Sequence, residues 1–287
     1  MSETNGQDLT MSATVNGERI EFTKEMRKDY TVLIPNMLPM HFTLLSKIFN
    51  NYGIRTEVLF TKGEKIKETG LKYTHNDACY PAIIVIGQFI DALQSGKYDP
   101  HKVALVMFQT GGGCRASNYI NLIRKALKRA GFEYVPVISF NFTGLEKHPG
   151  FKLSLPLLHR MVYAVFYADL LMSLRNQCRT YEIRKGESEE LAEAWTVRLA
   201  EEMGKEKISY KKWTKRLADE ITESRVSYKK VKKNYKLIIE DFNKILRKDE
   251  KKVKVGVVGE IFVKYSPLAN NDLENFLVSE GAEVTVP

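Results

Sequence analysis

The sequence predicts an α/β protein: a Rossmann-like parallel-sheet domain, a helical segment, and the start of a second, incomplete Rossmann-like domain. Three observations predict it. Short β-branched apolar runs such as Tyr30–Asn36 (YTVLIPN) and Val103–Phe108 (VALVMF) are each followed by a stretch with helical spacing, the alternation that builds parallel sheets. Glycine or proline marks the joins between these pieces. From Leu153 to Leu246 the strand signal disappears and helical spacing takes over, before strand and helix alternate again near the end.

Taken in order, residues 1–29 read as a polar tail and a short hairpin, with Asn16-Gly17 as the tight turn of Thr14–Ile20. Tyr30–Asn36 is too short and too β-branched for a helix and reads as a buried strand. A helix from Met40 to Tyr52 ends at Gly53, and Thr56–Phe60 is the next strand. Tyr73–Tyr80 is a polar loop ending in a cysteine. Pro81 suits the first turn of the helix that follows, which runs to about Gln94 and is closed by Gly96 and Pro100. Val103–Phe108 is a central strand, Thr110–Cys114 a glycine-rich turn, Ser117–Ala130 a helix ended by Gly131, and Tyr134–Ser139 another strand. Leu157–Leu174 is apolar enough to be expected in the interior. Ser188–Met203 is amphipathic, with Leu191, Trp195 and Leu199 on one stripe, and Tyr210–Leu246 supplies one or two further helices. Val253–Val258, Asn271–Glu280 and Glu283–Val286 then give strand, helix, strand.

The expected domains are therefore 1–29, the tail and hairpin; 30–150, the α/β domain; 151–252, a helical connector; and 253–287, the opening β-α-β of a second α/β domain. One such unit cannot bury both faces of its own sheet. The expectation is that the chain is a fragment, or that another polypeptide completes it.

Composition narrows the function. Hydrophobic content of 44% and charged content of 28% are those of a globular chain, no apolar run approaches a transmembrane span, and Met1–Thr10 lacks a signal-peptide core, so a cytoplasmic protein without a membrane role is expected. Three cysteines, Cys79, Cys114 and Cys178, argue against a disulfide framework. The net charge of +9 admits nucleic acid or an anionic metabolite such as coenzyme A as partner. Much of the basic charge lies between Lys205 and Lys254, but Glu206, Asp219, Glu220, Glu223, Glu240 and Asp241 are interleaved with it, as on a solvated helix face. With no recognition helix or stacking aromatics there, the nucleic-acid reading is the weakest of those open.

Two segments carry candidate chemistry: Asn76-Asp77-Ala78-Cys79-Tyr80-Pro81, and Gln109-Thr110-Gly111-Gly112-Gly113-Cys114-Arg115-Ala116-Ser117-Asn118. Each places a cysteine where a loop becomes a helix, and the second follows a central strand directly. In an open parallel sheet such turns gather at the carboxyl edge, where ligands bind. A helix start offers free N–H groups and a positive dipole end, which favour thiolate, the form that ligates iron. Glycines before Cys114 let the backbone approach a bulky inorganic group, and His75, Asn76, Gln109, Gly112, Gly113, Arg115 and Ser117 are candidates to surround it. The competing reading is two small buried cysteines at helix starts. The glycine turn is neither a P-loop, lacking Gly-Lys-Ser/Thr, nor a dinucleotide fingerprint, its glycines being consecutive. Cys178, at the end of the apolar helix, reads as structural. Of the five histidines, His41 and His75 lie near the strand ends and the cysteine loop, and His148 and His159 read as packing or surface residues; no zinc-hydrolase pair or esterase elbow occurs.

The segments IPNMLPMHFTLLSKIF, THNDACYPAIIVIGQFIDAL, TGGGCRASNYINLIRKAL and VGVVGEIFVKYSPLANNDLENFLVSEGAEV resemble the dehydratase-like region of the acyl-CoA dehydratase activase-related proteins. These are similar to the D-component of 2-hydroxyglutaryl-CoA dehydratase and to double-cubane cluster proteins, and the resemblance runs from about residue 18 to the end of the sequence. It implies an iron–sulfur cluster, [4Fe-4S] or double cubane, with Cys79 and Cys114 as ligands. It also implies low-potential electrons delivered by an ATP-dependent activator that carries its own [4Fe-4S] cluster. In the dehydratases the electron passes to a 2-hydroxyacyl-CoA, forming a ketyl radical from which water leaves. The family pattern takes a third ligand from the second domain, which this sequence does not reach. Completion by a C-terminal half or a paired subunit is therefore expected, and a non-catalytic scaffold with an empty cysteine site stays open as the alternative.

Overall fold

A computed structural model describes residues 19–75, 77–109, 115–140, 146, 148–204 and 226–287. The elements in chain order are α1 (Met26–Asp29), β1 (Thr31–Pro35), α2 (Pro39–Asn51), β2 (Thr56–Leu59), α3 (Glu64–Tyr73), α4 (Tyr80–Gln94), β3 (Val103–Phe108), α5 (Tyr119–Ala130), β4 (Val137–Phe140), α6 (Leu155–Cys178), α7 (Glu187–Glu202), α8 (Tyr228–Asn243), β5 (Lys254–Gly256), α9 (Ile261–Tyr265), α10 (Leu273–Ser279) and β6 (Glu283–Thr285). The fold is mixed α/β, with a four-stranded parallel sheet of order β2-β1-β3-β4 and a separate parallel pair β5-β6. Chain contacts divide the protein into two units, residues 1–33 with 67–152 and residues 34–66 with 153–287. The sequence boundary near 150 is close to the division at 152/153, whereas residues 34–66 group with the helical segment.

In the first unit, Thr31, Val32 and Leu33 lie opposite Val103, Ala104 and Leu105, and β3 continues into β4 with Leu105 opposite Val137 and Phe108 opposite Phe140. Val32, Leu33, Val103–Val106 and Val137–Phe140 are all buried, which explains why these strands read as continuous apolar runs and not as alternating ones. The last strand begins at Val137, not Tyr134: Pro136 has no N–H to give the ladder, although its carbonyl accepts from the Leu105 N–H, and the Tyr134 ring stacks on His101. Helix α4 is buried along almost its whole length. Helix α5 buries Tyr119, Ile120, Ile123, Ala126 and Leu127 at helical spacing. It ends at Gly131 in the left-handed conformation, where the Gly131 and Phe132 N–H groups close onto the Lys128 and Leu127 carbonyls. The hairpin expected at Thr14–Ile20 lies outside the described residues but for Arg19 and Ile20. Three helices were not expected, α1, α3 and, in the second unit, α9.

In the second unit, α6 packs against α2, α7 and α8. Ser154 caps it by accepting the Leu157 N–H, and Leu157, Met161, Ala164, Tyr167, Ala168 and Leu171 form its buried stripe. The expectation of a helix in the interior is corrected on its other face: Leu155, Val162, Val165 and Phe166 are exposed. At 24 residues with a mean hydropathy of 1.3, α6 is also long and apolar enough to span a membrane by length and composition alone, contrary to the expectation that no stretch approaches this. Only 39% of that apolar window is buried within the protein. Helix α8 buries Val231, Asn234, Ile238 and Phe242, while its lysines are solvated and partly paired, Lys236 with Glu240 and Lys230 with Glu202. This is the mixed-charge solvated face expected there; residues 205–225 lie outside the described set. The β5-β6 pair packs Val257, Val284 and Val286 against Tyr265, Leu273, Leu277 and Val278.

Candidate functional site

Helix α4 opens at Cys79, which stands in the N-cap position with extended backbone (φ −66°, ψ 151°), and its carbonyl accepts the N–H groups of Ala82 and Ile83. The Cys79 side chain makes no cap hydrogen bond. The first-turn N–H groups of a helix have no intrahelical partner, so α4 presents a positive end beside this sulfur. The thiol is free and half-buried. Its Sγ lies 3.1 Å from the hydroxyl of Tyr119, the first residue of α5. A single 3-10 turn, Arg115–Asn118, separates Cys114 in sequence from α5, so this contact sets Cys79 beside the helix to which the second cysteine motif leads. Helix α5 follows the carboxyl end of β3, which places both helix starts at the carboxyl edge of the parallel strands.

Gln109 fixes the start of the glycine turn. Its backbone N–H donates to the Phe140 carbonyl at 3.0 Å, prolonging the β3-β4 ladder by one residue. Its side-chain oxygen accepts from the Ser139 hydroxyl at 2.6 Å, and its amide nitrogen donates to the Ser117 carbonyl at 3.2 Å. Gln109 and Ser117 are thus tied to one another across the glycine turn, with Ser139 of β4 as anchor. Gly112, Gly113, Cys114 and the expected neighbour Asn76 lie outside the described residues, as does the side chain of Arg115. His75 is exposed and its Nδ1 lies 3.3 Å from the Asp77 carboxylate; the Asp77 N–H also points to that nitrogen.

No family model matches this chain. Neither a curated protein nor a solved structure matches it. The residues themselves therefore decide what the site fits. Among the described residues, no group of three His, Cys, Asp or Glu side chains converges on a metal position. Cys79, half-exposed at an open helix start and touched by a hydroxyl, suits a thiolate ligand of an iron–sulfur cluster. Cys178 does not: it is the last residue of α6, is 2% exposed, and burial pushes its thiol up from the ordinary cysteine range. The structure agrees with the reading of Cys178 as structural. His148 is likewise a buried packing residue, with the Phe22 and Ser139 N–H groups directed at its two ring nitrogens. His41, in the second unit, is buried with Nε2 at 2.8 Å from Asp169.

Tyr119 was missed in the sequence. An aromatic hydroxyl five residues after Cys114, at the first position of the helix, was the only available signal, and an amphipathic helix uses tyrosine there for packing just as readily.

Proposed function

We propose that this protein is the iron–sulfur cluster-binding component of a 2-hydroxyacyl-CoA dehydratase-like or reductase-like system, receiving low-potential electrons from an ATP-dependent activator. One observation carries the reading: the Cys79 thiol lies half-open at a helix start, against the first residue of the helix that the Cys114 turn feeds. The sheet order supports a Rossmann-like domain, because the strands run outward from β1 first to β2 and then, on the other side, to β3 and β4. Cys79 and Cys114 would hold the cluster, with further ligands from outside these two motifs, and acyl-CoA as the substrate class. When bound, the cluster would take up and pass on single electrons. Gln109 would hold the turn in place around it, and Tyr119 would hydrogen-bond the ligand sulfur, an interaction that tunes cluster potential.

The test is anaerobic reconstitution of the full chain with iron and sulfide, measuring iron per chain and visible charge-transfer absorbance. The expected result is stoichiometric iron in the parent and in Cys178→Ser, lost in Cys79→Ser and in Cys114→Ser. Iron retained at parental level in a Cys79→Ser/Cys114→Ser double variant would end the proposal.

A further inference from the structure

The second unit contains a cavity of about 250 Å³ that no described residue of the cysteine motifs lines. It opens at the start of α2, where Leu38–His41 form part of the lining, and its remaining walls include Thr61, Arg175, Arg179 and Glu274. Helix α2 is 13 residues long, with no side-chain cap at Leu38 and no acidic residue in its first turn, so no acidic side chain of its own offsets its positive end. On the cavity wall Glu274 is shared by two guanidiniums, and among the described residues it is their one carboxylate less than a fifth exposed: one of its oxygens lies 3.2 Å from Arg175 and 3.0 Å from Arg179. The side chains of Arg175, Arg179 and Glu274 are 14%, 9% and 17% exposed. The other charged pair on the lining, Lys62 with Asp272, and the second carboxylate near Arg175, Glu189, are at least 38% exposed and lie at the rim, where solvent screens them. The interior therefore holds one positive charge in excess.

Unused polar atoms gather at the same place. Nε of Arg179, Oγ1 of Thr61 and Nδ1 of His41 are buried without a hydrogen-bond partner among the described residues, although each residue lines the cavity. Buried donors are rarely left unpaired. An Arg179 N–H, a Thr61 hydroxyl and the start of α2 are together a donor set for an oxyanion, and the guanidinium fork matches carboxylate and phosphate geometry alike. Burial, and next Arg175, hold the Arg179 guanidinium below its ordinary value, the strain that a bound anion relieves.

We infer that this cavity binds a small oxyanion, a carboxylate or a phosphate group, through Arg179, Thr61 and the first turn of α2. The inference does not rest on the cluster reading, and iron-free protein suffices to test it. Full-length protein would be titrated calorimetrically with sodium phosphate and, separately, sodium acetate, against sodium chloride at equal ionic strength. Saturable binding of phosphate or acetate and none of chloride is expected, and the anion that binds identifies the source of the oxyanion. Thr61→Val should weaken that binding several-fold and Arg179→Gln by about tenfold or more, the loss of a charge-assisted hydrogen bond. If Arg179→Gln fails to fold, Thr61→Val, which alters one hydroxyl at a half-exposed position, carries the test. Absence of saturable binding by both anions, or affinities unchanged in the folded variants, would overturn it.

Discussion

Gly70→Ala should destabilise the protein, although the mutation replaces a poor helix former with the best one inside a helix. In α3 that exchange alone favours alanine by about 1 kcal/mol. The structure reverses the sign. A Cβ built on Gly70 falls 2.1 Å from the carbonyl oxygen of Ile83 and 2.8 Å from its carbonyl carbon, both backbone atoms of α4. Carbon and oxygen approach no closer than about 3.3 Å in the tightest ordinary contacts, so α3 and α4 must separate by roughly 1 Å. Overpacking of this kind costs about 1–3 kcal/mol, and backbone cannot step aside as a side-chain tip can, which puts the cost at about 3 kcal/mol and the net loss after the propensity gain at about 2 kcal/mol. Urea denaturation reads this directly, as a lowered midpoint at unchanged slope, with Glu68→Ala on the exposed face of α3 staying within about 0.5 kcal/mol of the parent. The Ile83 N–H is bonded to the Cys79 carbonyl, so the same displacement is passed to the candidate ligand, and reconstituted iron should fall as well. A Gly70→Ala protein as stable as the parent would refute the close approach of the two helices.

Two further outcomes follow from buried titratable groups. Burial alone would raise the Glu146 carboxyl, but a hydrogen bond with His148 and the fork of Arg124 overcome it and hold the pKa at about 2 against the ordinary 4.5. A depressed carboxyl pKa stabilises the fold fully above pH 4.5 and loses that contribution as pH falls towards 2, here about 3 kcal/mol, so acid denaturation of Glu146→Gln should be flatter over that window. Alkylation of the native protein followed by peptide mapping should label Cys79 and spare Cys178 until denaturant is added; early labelling of Cys178 would contradict its burial.

How much of this was legible in the sequence follows from what each element depends on. Strands β1 and β3 could be read because strands buried on both faces need apolar residues at every position, a local signal in VLIP and VALVMF. Helix α5 could be read because its stripe, its charged outer face and the left-handed Gly131 are all local. Helix α3 was not legible: within EKIKETGLKY only Ile66 is a buried apolar side chain, and Gly70, a helix breaker in sequence terms, is there because Ile83 approaches it closely. The exposed stripe of α6 was hidden for the opposite reason, since apolar residues around the whole helix read as uniform burial. The oxyanion cavity had no sequence signature, because Arg175 and Arg179 are separated from Glu274 by about a hundred residues and only the fold sets two guanidiniums on one carboxylate.

The cysteines show where reading by residue type stops. Cys79 and Cys178 are the same side chain, each at a helix terminus. At the start of α4 the sulfur meets open N–H groups, partial exposure and the Tyr119 hydroxyl. At the end of α6 it meets burial that disfavours the thiolate, and the carbonyl end of a helix, whose dipole has the wrong sign for an anion. Helix polarity, which the sequence carries through Pro81 after one cysteine and Arg179 after the other, separates a candidate ligand from a packing residue. Gln109 extends the same logic to the second motif. Proximity to Cys114 made it a candidate to surround a cluster, but its hydrogen bonds to Ser139, Phe140 and Ser117 fit a mechanical part, one that ties residues on either side of the glycine segment to β4.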